Sequence, residues 1–228
     1  MKLILAERRV EVPGVESFIF EPEEALKWKP GQYLHYVLHH EPTDDRGSDR
    51  WFTVSSAPFE KRPAITTRFA DEKSSSFKKK LFSLAPGKSI EISRVEGDFT
   101  VEDASMQYVF IAGGIGITPF HSILKQADHD GVKLSATLLY GNRDGQAVFK
   151  EELELFAKNN PNLSLNYVTA PEKIDEAAIR KSVPDLSKPL FYISGPAPMV
   201  FALSDTLKSM GVPETRIKLD DFPGYPAD

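Results

Sequence analysis

The 228-residue chain contains no cysteine. That excludes a disulfide framework, a thiolate metal site and a cysteine-ligated iron-sulfur cluster, and it suits a reducing compartment. Long apolar runs are missing too. Nothing approaches the roughly 18 residues of a membrane-spanning helix, and the apolar run in MKLILAERRV at the amino end is too short for the core of a signal peptide. A cytoplasmic location is the resulting expectation. A basic excess is also absent: the net charge of -5 argues against a nucleic-acid partner. The five histidines show no metal-ligand spacing, so no metal is expected. Internal repeats and low-complexity tracts are lacking.

What is present suffices for real cores: 41% apolar and 11% aromatic residues, enough for one large domain or two of ordinary size. The charge is unevenly spread. From Lys61 to Arg94 nine basic residues face three acidic ones, a local +6, which reads either as a solvated helix face at Lys78-Lys79-Lys80 or as a dock for something anionic.

The chain has two grammars. Up to about Thr100, five short β-like runs (VESFIFEP, GQYLHYVL, RWFTVSS, AITTRFA, KSIEISR) are each closed by Gly, Pro or charge, the pattern of an antiparallel sandwich or barrel. SSSFKKKLFSLAPG interrupts them as a short helix, with Phe77, Leu81 and Leu84 on one face and Pro86-Gly87 as its stop. From Gln107 onward strands alternate with helices, which calls for a parallel sheet with right-handed crossovers. Phe149, Leu153 and Phe156 share one helical face, as do Val200, Leu203 and Leu207, and RIKLDDF adds an edge or terminal strand. The grammar changes near GDFTVEDAS, dividing the chain into domains 1–102 and 103–228.

In FIAGGIGITPF, three glycines follow the first strand of the parallel half. Ligands of open parallel sheets bind beyond the carboxyl ends of the strands. Gly113, Gly114 and Gly116 let the backbone turn tightly and approach a phosphate, Thr118 can cap the next helix, and Pro119 fits its first turn. The amides and helix dipole then face an anion. At the end of the second strand stand Asn142 and Arg143, followed by Asp144; an arginine there pairs with a 2'-phosphate through two donors, which leans toward NADPH over NADH. The fourth strand ends at Gly195-Pro196, another close backbone approach, and Met199 begins the following helix.

Five short motifs in order resemble the ferredoxin-NADP reductase superfamily over nearly the whole chain. KPGQYL resembles a turn of its first domain, and Arg50-Trp51-Phe52-Thr53 its flavin motif Arg-x-Tyr-Ser/Thr. GGIGITP, YGNR and GPAPM resemble motifs of its nicotinamide domain. The resemblance implies a six-stranded antiparallel flavin barrel followed by a Rossmann-like α/β domain, without an iron-sulfur domain. It implies FAD, with FMN the lesser alternative, and NADPH or NADH as donor. Arg50 would pair with flavin phosphate, Trp51 and Phe52 would adjoin the flavin with Phe52 against its ring, and Thr53 would hydrogen-bond near N5. Thr67 and one or more of Ser74, Ser75 and Ser76 would complete the flavin site, and Tyr225 would cover the flavin face. Gly113, Gly114, Gly116, Thr118, Pro119, Asn142, Arg143, Gly195, Pro196 and Met199 would bind the nicotinamide dinucleotide. Thr53, Ser194 and Asp220 would be catalytic, Asp220 as a proton relay. The chain departs from the family at Phe52, where tyrosine is usual; at Glu72, where glycine is common; and at Ser194, where many relatives have cysteine.

The expected activity is therefore hydride transfer from NAD(P)H, with NADPH favoured, to bound FAD, and single-electron transfer to a separate carrier such as ferredoxin or flavodoxin. Two alternatives remain open: a reductase that uses flavin as a substrate, and a non-catalytic nucleotide-binding subunit. The electron acceptor and oligomeric state stay unassigned.

Overall fold

The computed structural model describes residues 1–222; Tyr225 lies outside them. Its first sheet holds β1 (Lys2–Val12), β2 (Val15–Pro22), β3 (Tyr33–Val37), β4 (Asp49–Thr53), β5 (Ala64–Arg68) and β6 (Ser89–Glu96), all antiparallel, in the spatial order β4-β3-β6-β1-β2-β5. It curls into a nearly closed barrel. Helix α1 (Ser76–Phe82) follows β5 and sinks Phe77 and Leu81 into the barrel core beside Phe18, Phe20 and Leu34. Burying each such side chain contributes about 1.5–3 kcal/mol, which anchors a helix too short to persist alone.

The second sheet is parallel, in the order β11-β10-β7-β8-β9. Its strands are β7 (Gln107–Gly113), β8 (Ser135–Asn142), β9 (Leu163–Thr169), β10 (Leu190–Pro196) and β11 (Ile217–Phe222). The crossovers carry α2 (Thr118–His129), α3 (Lys150–Asn159), α4 (Glu176–Ser182) and α5 (Ala197–Ser209). Alternate residues of β7 feed opposite faces. Tyr108, Phe110 and Ala112 pack with α2 and α3, while Val109 and Ile111 pack with α4 and α5. The strand order reverses between β7 and β10, so a crevice opens beyond their carboxyl ends. Among the described residues no helix is long and apolar enough to cross a membrane.

The structure differs from the pattern reading in detail. Periodicity yields five barrel strands, and the sixth is β1. Only Leu3 and Leu5 of its first half alternate inward; Glu7, Arg8 and Arg9 carry the rest across solvent. Helix α5 begins at Ala197, two residues before Met199, because Pro196 closes the strand and presets the entry. Thr118 does not cap α2. It lies inside a continuous helical path after the 3-10 turn Gly114–Ile117, and its hydroxyl donates back to the Ile115 carbonyl at 3.2 Å.

The two sheets are joined by residues 97–106, and the first part of this segment is bound into the parallel half. Phe99 enters the core of the parallel half against Phe120 and Tyr192. The Tyr192 hydroxyl donates to the Thr100 carbonyl at 2.9 Å, and Lys218 Nζ donates to the Asp98 carbonyl at 2.8 Å. Phe99→Ala should lower stability by about 3–5 kcal/mol in chemical denaturation, the cost of a cavity at a buried aromatic. A loss below about 1 kcal/mol would mean that the joint is not held by this ring.

Candidate functional site

The barrel is open where its two edge strands, β4 and β5, face each other. They are bridged at one end, where Ser55 N–H donates to the Ala64 carbonyl at 2.9 Å and Ser55 Oγ meets Thr66 Oγ1 at 2.7 Å. Thr67, buried on β5, lies along this opening. Strand pairing sorts the flavin-motif residues by face. Arg50 pairs with Tyr36 and Phe52 with Leu34, both buried, so Arg50 and Phe52 share the inner side. The Phe52 ring lies 5.7 Å from Phe77 and 6.0 Å from Tyr36, and the Arg50 guanidinium sits 5.6 Å from the Phe77 centroid. Trp51 projects from the other side. It is 43% exposed, tilted against His35 at 4.5 Å and edge-on to Tyr33 at 5.2 Å.

Arg50 and Ser76 converge on one carboxylate, that of Asp44. Arg50 Nη2 donates to Asp44 Oδ1 at 3.1 Å, and the Ser76 amide donates to Asp44 Oδ2 at 2.8 Å. The Asp44 amide in turn donates to Ser76 Oγ at 2.9 Å. Burial works to raise the Asp44 pKa, but the Ser76 and Arg46 amides and the Arg50 and Arg46 charges outweigh it and hold this carboxyl below its usual range. Ser75 is the N-cap of α1, accepting from the Lys78 amide, and Ser74 Oγ accepts from the Ala70 amide. Arg50 Nε is buried without a partner among the described residues. The donors thus fit an oxyanion: the Asp44 oxygens stand where phosphate oxygens of a flavin diphosphate could be received, with one guanidinium N–H to spare.

On the parallel side the glycines divide their work. A Cβ on Gly116 would lie 2.2 Å from the Ser194 carbonyl oxygen, and one on Gly113 would lie 2.4 Å from Met199 Sδ. These two positions are small because β10 and α5 press on the turn. Gly114 differs: its φ is +54° and nothing stands within 4 Å of its missing Cβ. Open space over a left-handed glycine at the start of α2 fits the approach of a dinucleotide phosphate. Pro119 sits in the first turn of α2. Gly195 and Pro196 end β10 beside this turn, whereas Asn142 and Arg143 lie two strand ends along the same rim, after β8.

Ser194 and Asp220 are directly bonded. They are register partners on β10 and β11, and Ser194 Oγ donates to Asp220 Oδ2 at 2.8 Å. Burial pushes the Asp220 carboxyl up to about 6, against the pull of that hydroxyl, and the Asp221 charge adds to the rise. Tyr33, the cross-strand partner of Thr53, has its phenol raised by burial and then by the charges of Glu96, Asp220 and Asp98. Thr53 is buried at the end of β4.

The arrangement brings Arg50 to Ser76, and Ser194 to Asp220. It sets Trp51 on a different face from Arg50 and leaves Arg143 exposed on the rim. Sequence reasoning missed Asp44. The available signal was the acidic pair Asp44-Asp45 just before Arg46-Gly47, a turn-like stretch ahead of the arginine it serves.

An antiparallel barrel joined to a Rossmann-like sheet, with an oxyanion cradle on each, defines a two-domain dinucleotide-binding protein. Residues 110–205 match the oxidoreductase NAD-binding domain family. The ferredoxin reductase component of a 3-ketosteroid-9-alpha-monooxygenase from Mycolicibacterium smegmatis is 29% identical over all of this chain and 67% of its own length. The chain spans about two thirds or less of the curated relatives it matches. Among solved structures, the FAD/NAD-binding domain of a nitric oxide dioxygenase from Vibrio cholerae superposes with a TM-score of 0.84 at 21% identity, covering 97% of this chain and 98% of that one. A ferredoxin-NADP+ reductase from Neisseria gonorrhoeae gives 0.79 at 18%, covering 97% and 98%. Residues 110–205 thus carry the mark of an oxidoreductase NAD-binding domain, and the whole chain has the fold of these solved structures.

Because the Asp220 pKa rises from 3.8 to about 6, the folded protein holds a proton there that the unfolded chain has released. Stability is therefore lost as pH rises through that window. Asp220→Asn should remove this slope. It should stabilise the protein above pH 6 by about 2 kcal/mol after allowance for partial exposure, and leave it unchanged below about pH 4. Denaturant midpoints across pH check this; a wild-type curve without the slope contradicts it.

Proposed function

We propose that the chain is an NAD(P)H-dependent flavoprotein oxidoreductase that accepts hydride from NADPH on bound FAD and passes electrons to a separate carrier. The observation that carries this reading is the seam: α2, which follows the glycine turn open over Gly114, is bonded to the Ser55 and Ser56 carbonyls just beyond Thr53 of the barrel, and Gly116 of the same turn packs on the carbonyl of Ser194, the residue bonded to Asp220. An oxyanion cradle stands on each side of that seam, and the names of the relatives above support the same chemistry.

The division of labour follows from the side chains. Arg50 and Ser76 receive the flavin diphosphate once Asp44 yields, and Phe52 offers a ring face to the isoalloxazine. Gly114 and the start of α2 receive the diphosphate of the nicotinamide dinucleotide. FAD, when bound, supplies the conversion of a two-electron hydride donor into single-electron steps. Thr53 offers a small hydroxyl near the reacting edge. Ser194 leaves room for the nicotinamide ring, and its hydroxyl donates to Asp220. Asp220, pushed up to about 6, holds or releases a proton close to neutrality. We assign the flavin unit to residues 1–102 and the nicotinamide unit to residues 103–228.

The partner in this reading is a small electron carrier of the ferredoxin or flavodoxin kind, for which the +6 segment from Lys61 to Arg94 offers an electrostatic match to an acidic surface. The NADPH preference rests on Arg143, which is exposed and has no ion-pair partner among the described residues; the neighbouring Asp144 instead accepts from the Gln146 amide at 3.2 Å.

The reading is tested by mixing FAD-loaded protein anaerobically with NADPH. The flavin absorbance should bleach, and a protein that is colourless yet consumes NADPH only with added flavin would instead use flavin as a substrate. Arg143→Ala should raise the KM for NADPH by about 10–100-fold while leaving NADH kinetics within about twofold, the effect of removing one charge-assisted phosphate contact. Equal changes for both nucleotides would contradict the assignment of Arg143.

A further inference from the structure

Helix α2 does more than start at the glycine turn. His121, Ser122, Lys125, Gln126 and His129 all face residues 55–60 of the barrel, at the spacing of one helical stripe. Ser122 Oγ donates to the Ser56 carbonyl at 2.7 Å, and the Phe59 amide donates to Gln126 Oε1 at 3.0 Å. Lys125 Nζ lies 3.1 Å from Glu60 and 3.1 Å from Glu152 of α3, and His129 stacks on Phe59 at 3.8 Å. His121 is buried, at 2% exposure, and its ring has a partner on each side. Its Nδ1 meets the Ser55 carbonyl at 2.7 Å and its Nε2 meets Glu152 Oε2 at 2.6 Å.

Both partners of the His121 ring are acceptors only. A backbone carbonyl has no proton to give, and hydrogen bonding from His121, against desolvation and with help from the His121 and Lys125 charges, holds the Glu152 carboxyl down to about 2. Two such bonds require two ring N–H groups, the charged imidazolium. The Phe149 ring lies flat against it at 3.7 Å and 14°, held by a left-handed backbone at φ +62°, and limits the ring's freedom to turn away. The charged groups around the imidazole are Lys125 on its own helix, Glu152 on α3, Glu60 and Arg62 beside the 55–60 segment, and Glu7 and Arg9 of β1, all but Glu152 lining a polar cavity of ≈ 140 Å³ together with His121.

We propose that His121 is a positioning residue for hydride transfer: its two ring N–H groups fix the strand end that carries Thr53 against the helix that carries the glycine turn, and they do so fully only in the charged ring. Ser55 lies two residues beyond Thr53, and His121 three residues beyond Thr118, so the bond joins the flavin-facing strand to the nicotinamide-facing helix by a short rigid path. Loss of one proton removes one of the two bonds. Ser122, Lys125 and Gln126 keep the halves together, and what changes is their aim. This inference rests on the hydride-transfer reading above.

The test uses the FAD-loaded protein and three forms, wild type, His121→Gln and Glu152→Gln, from about pH 5 to about pH 9, the range in which histidine charge changes. Nitrogen NMR of the histidine rings should find His121 protonated on both nitrogens at the acidic end and on one at the alkaline end. Flavin reduction by saturating NADPH should be about tenfold faster in wild type than in His121→Gln at the acidic end and converge at the alkaline end, the scale expected of a small misplacement of reacting groups. Glu152→Gln, which keeps an acceptor but removes its charge, should shift the descending limb toward lower pH. A purely structural histidine would slow reduction by one factor at every pH, and that result overturns the inference, as does a ring carrying a single proton throughout. If His121→Gln does not fold, the NMR titration and Glu152→Gln decide alone. If wild type is not reduced by either nicotinamide, the functional reading itself fails and takes this one with it.

Discussion

The contact between α2 and residues 55–60 of the barrel is the constraint on which the rest depends. Two sheets of opposite construction, one curled and antiparallel, the other open and parallel, are of use to a two-cofactor reaction only if their working ends face each other. Helix α2 enforces this from the side that carries the glycine turn. The linker does the same from behind, through Phe99 and the carbonyls of Asp98 and Thr100. Nearly all of the α2 contact is polar. A polar joint is directional, so it sets an angle where an apolar patch would set only proximity.

The electrostatics of the site follow from where charge is given and where it is withheld. Each cradle is rich in donors: Arg50 with the α1 amides on the barrel, and the turn amides with the α2 dipole on the parallel side. The first already holds an anion, the Asp44 carboxylate, so under the proposed function flavin diphosphate would enter by exchange rather than by filling a void. At the seam the opposite holds. Asp220 has a hydroxyl from Ser194 but no cation within bonding distance among the described residues, and burial makes its charge costly. A carboxyl in that condition is suited to proton exchange, whereas one paired with arginine is locked.

Much of this was legible in the sequence, for identifiable reasons. The run YVFIAG reads as a buried parallel strand because both of its faces are covered, and VESFIFEP reads as a barrel strand because only one is. The glycine turn stood out by composition, yet its meaning did not: Gly113 and Gly116 serve protein packing, and only Gly114 opens onto space. That distinction depends on how β10 and α5 approach the turn, which spacing along the chain does not record. β1 was obscured by its own charges. Asp44 left only a faint trace, an acidic pair in a turn-like stretch six residues before Arg50, and its link to Ser76 spans 32 residues. His121 was not legible at all, since its partner Ser55 lies 66 residues away and a lone histidine in an amphipathic helix carries no local signature of what it touches.

The central claim is that one seam receives both cofactors, and a crystal structure of the protein grown with FAD and soaked with NADP+ tests it most directly. The account predicts flavin diphosphate on Arg50 and Ser76 with Asp44 displaced, nicotinamide diphosphate over Gly114, and the two rings facing each other between Thr53 and Ser194. Flavin on one surface and nucleotide on another, with no shared groove between them, would contradict it.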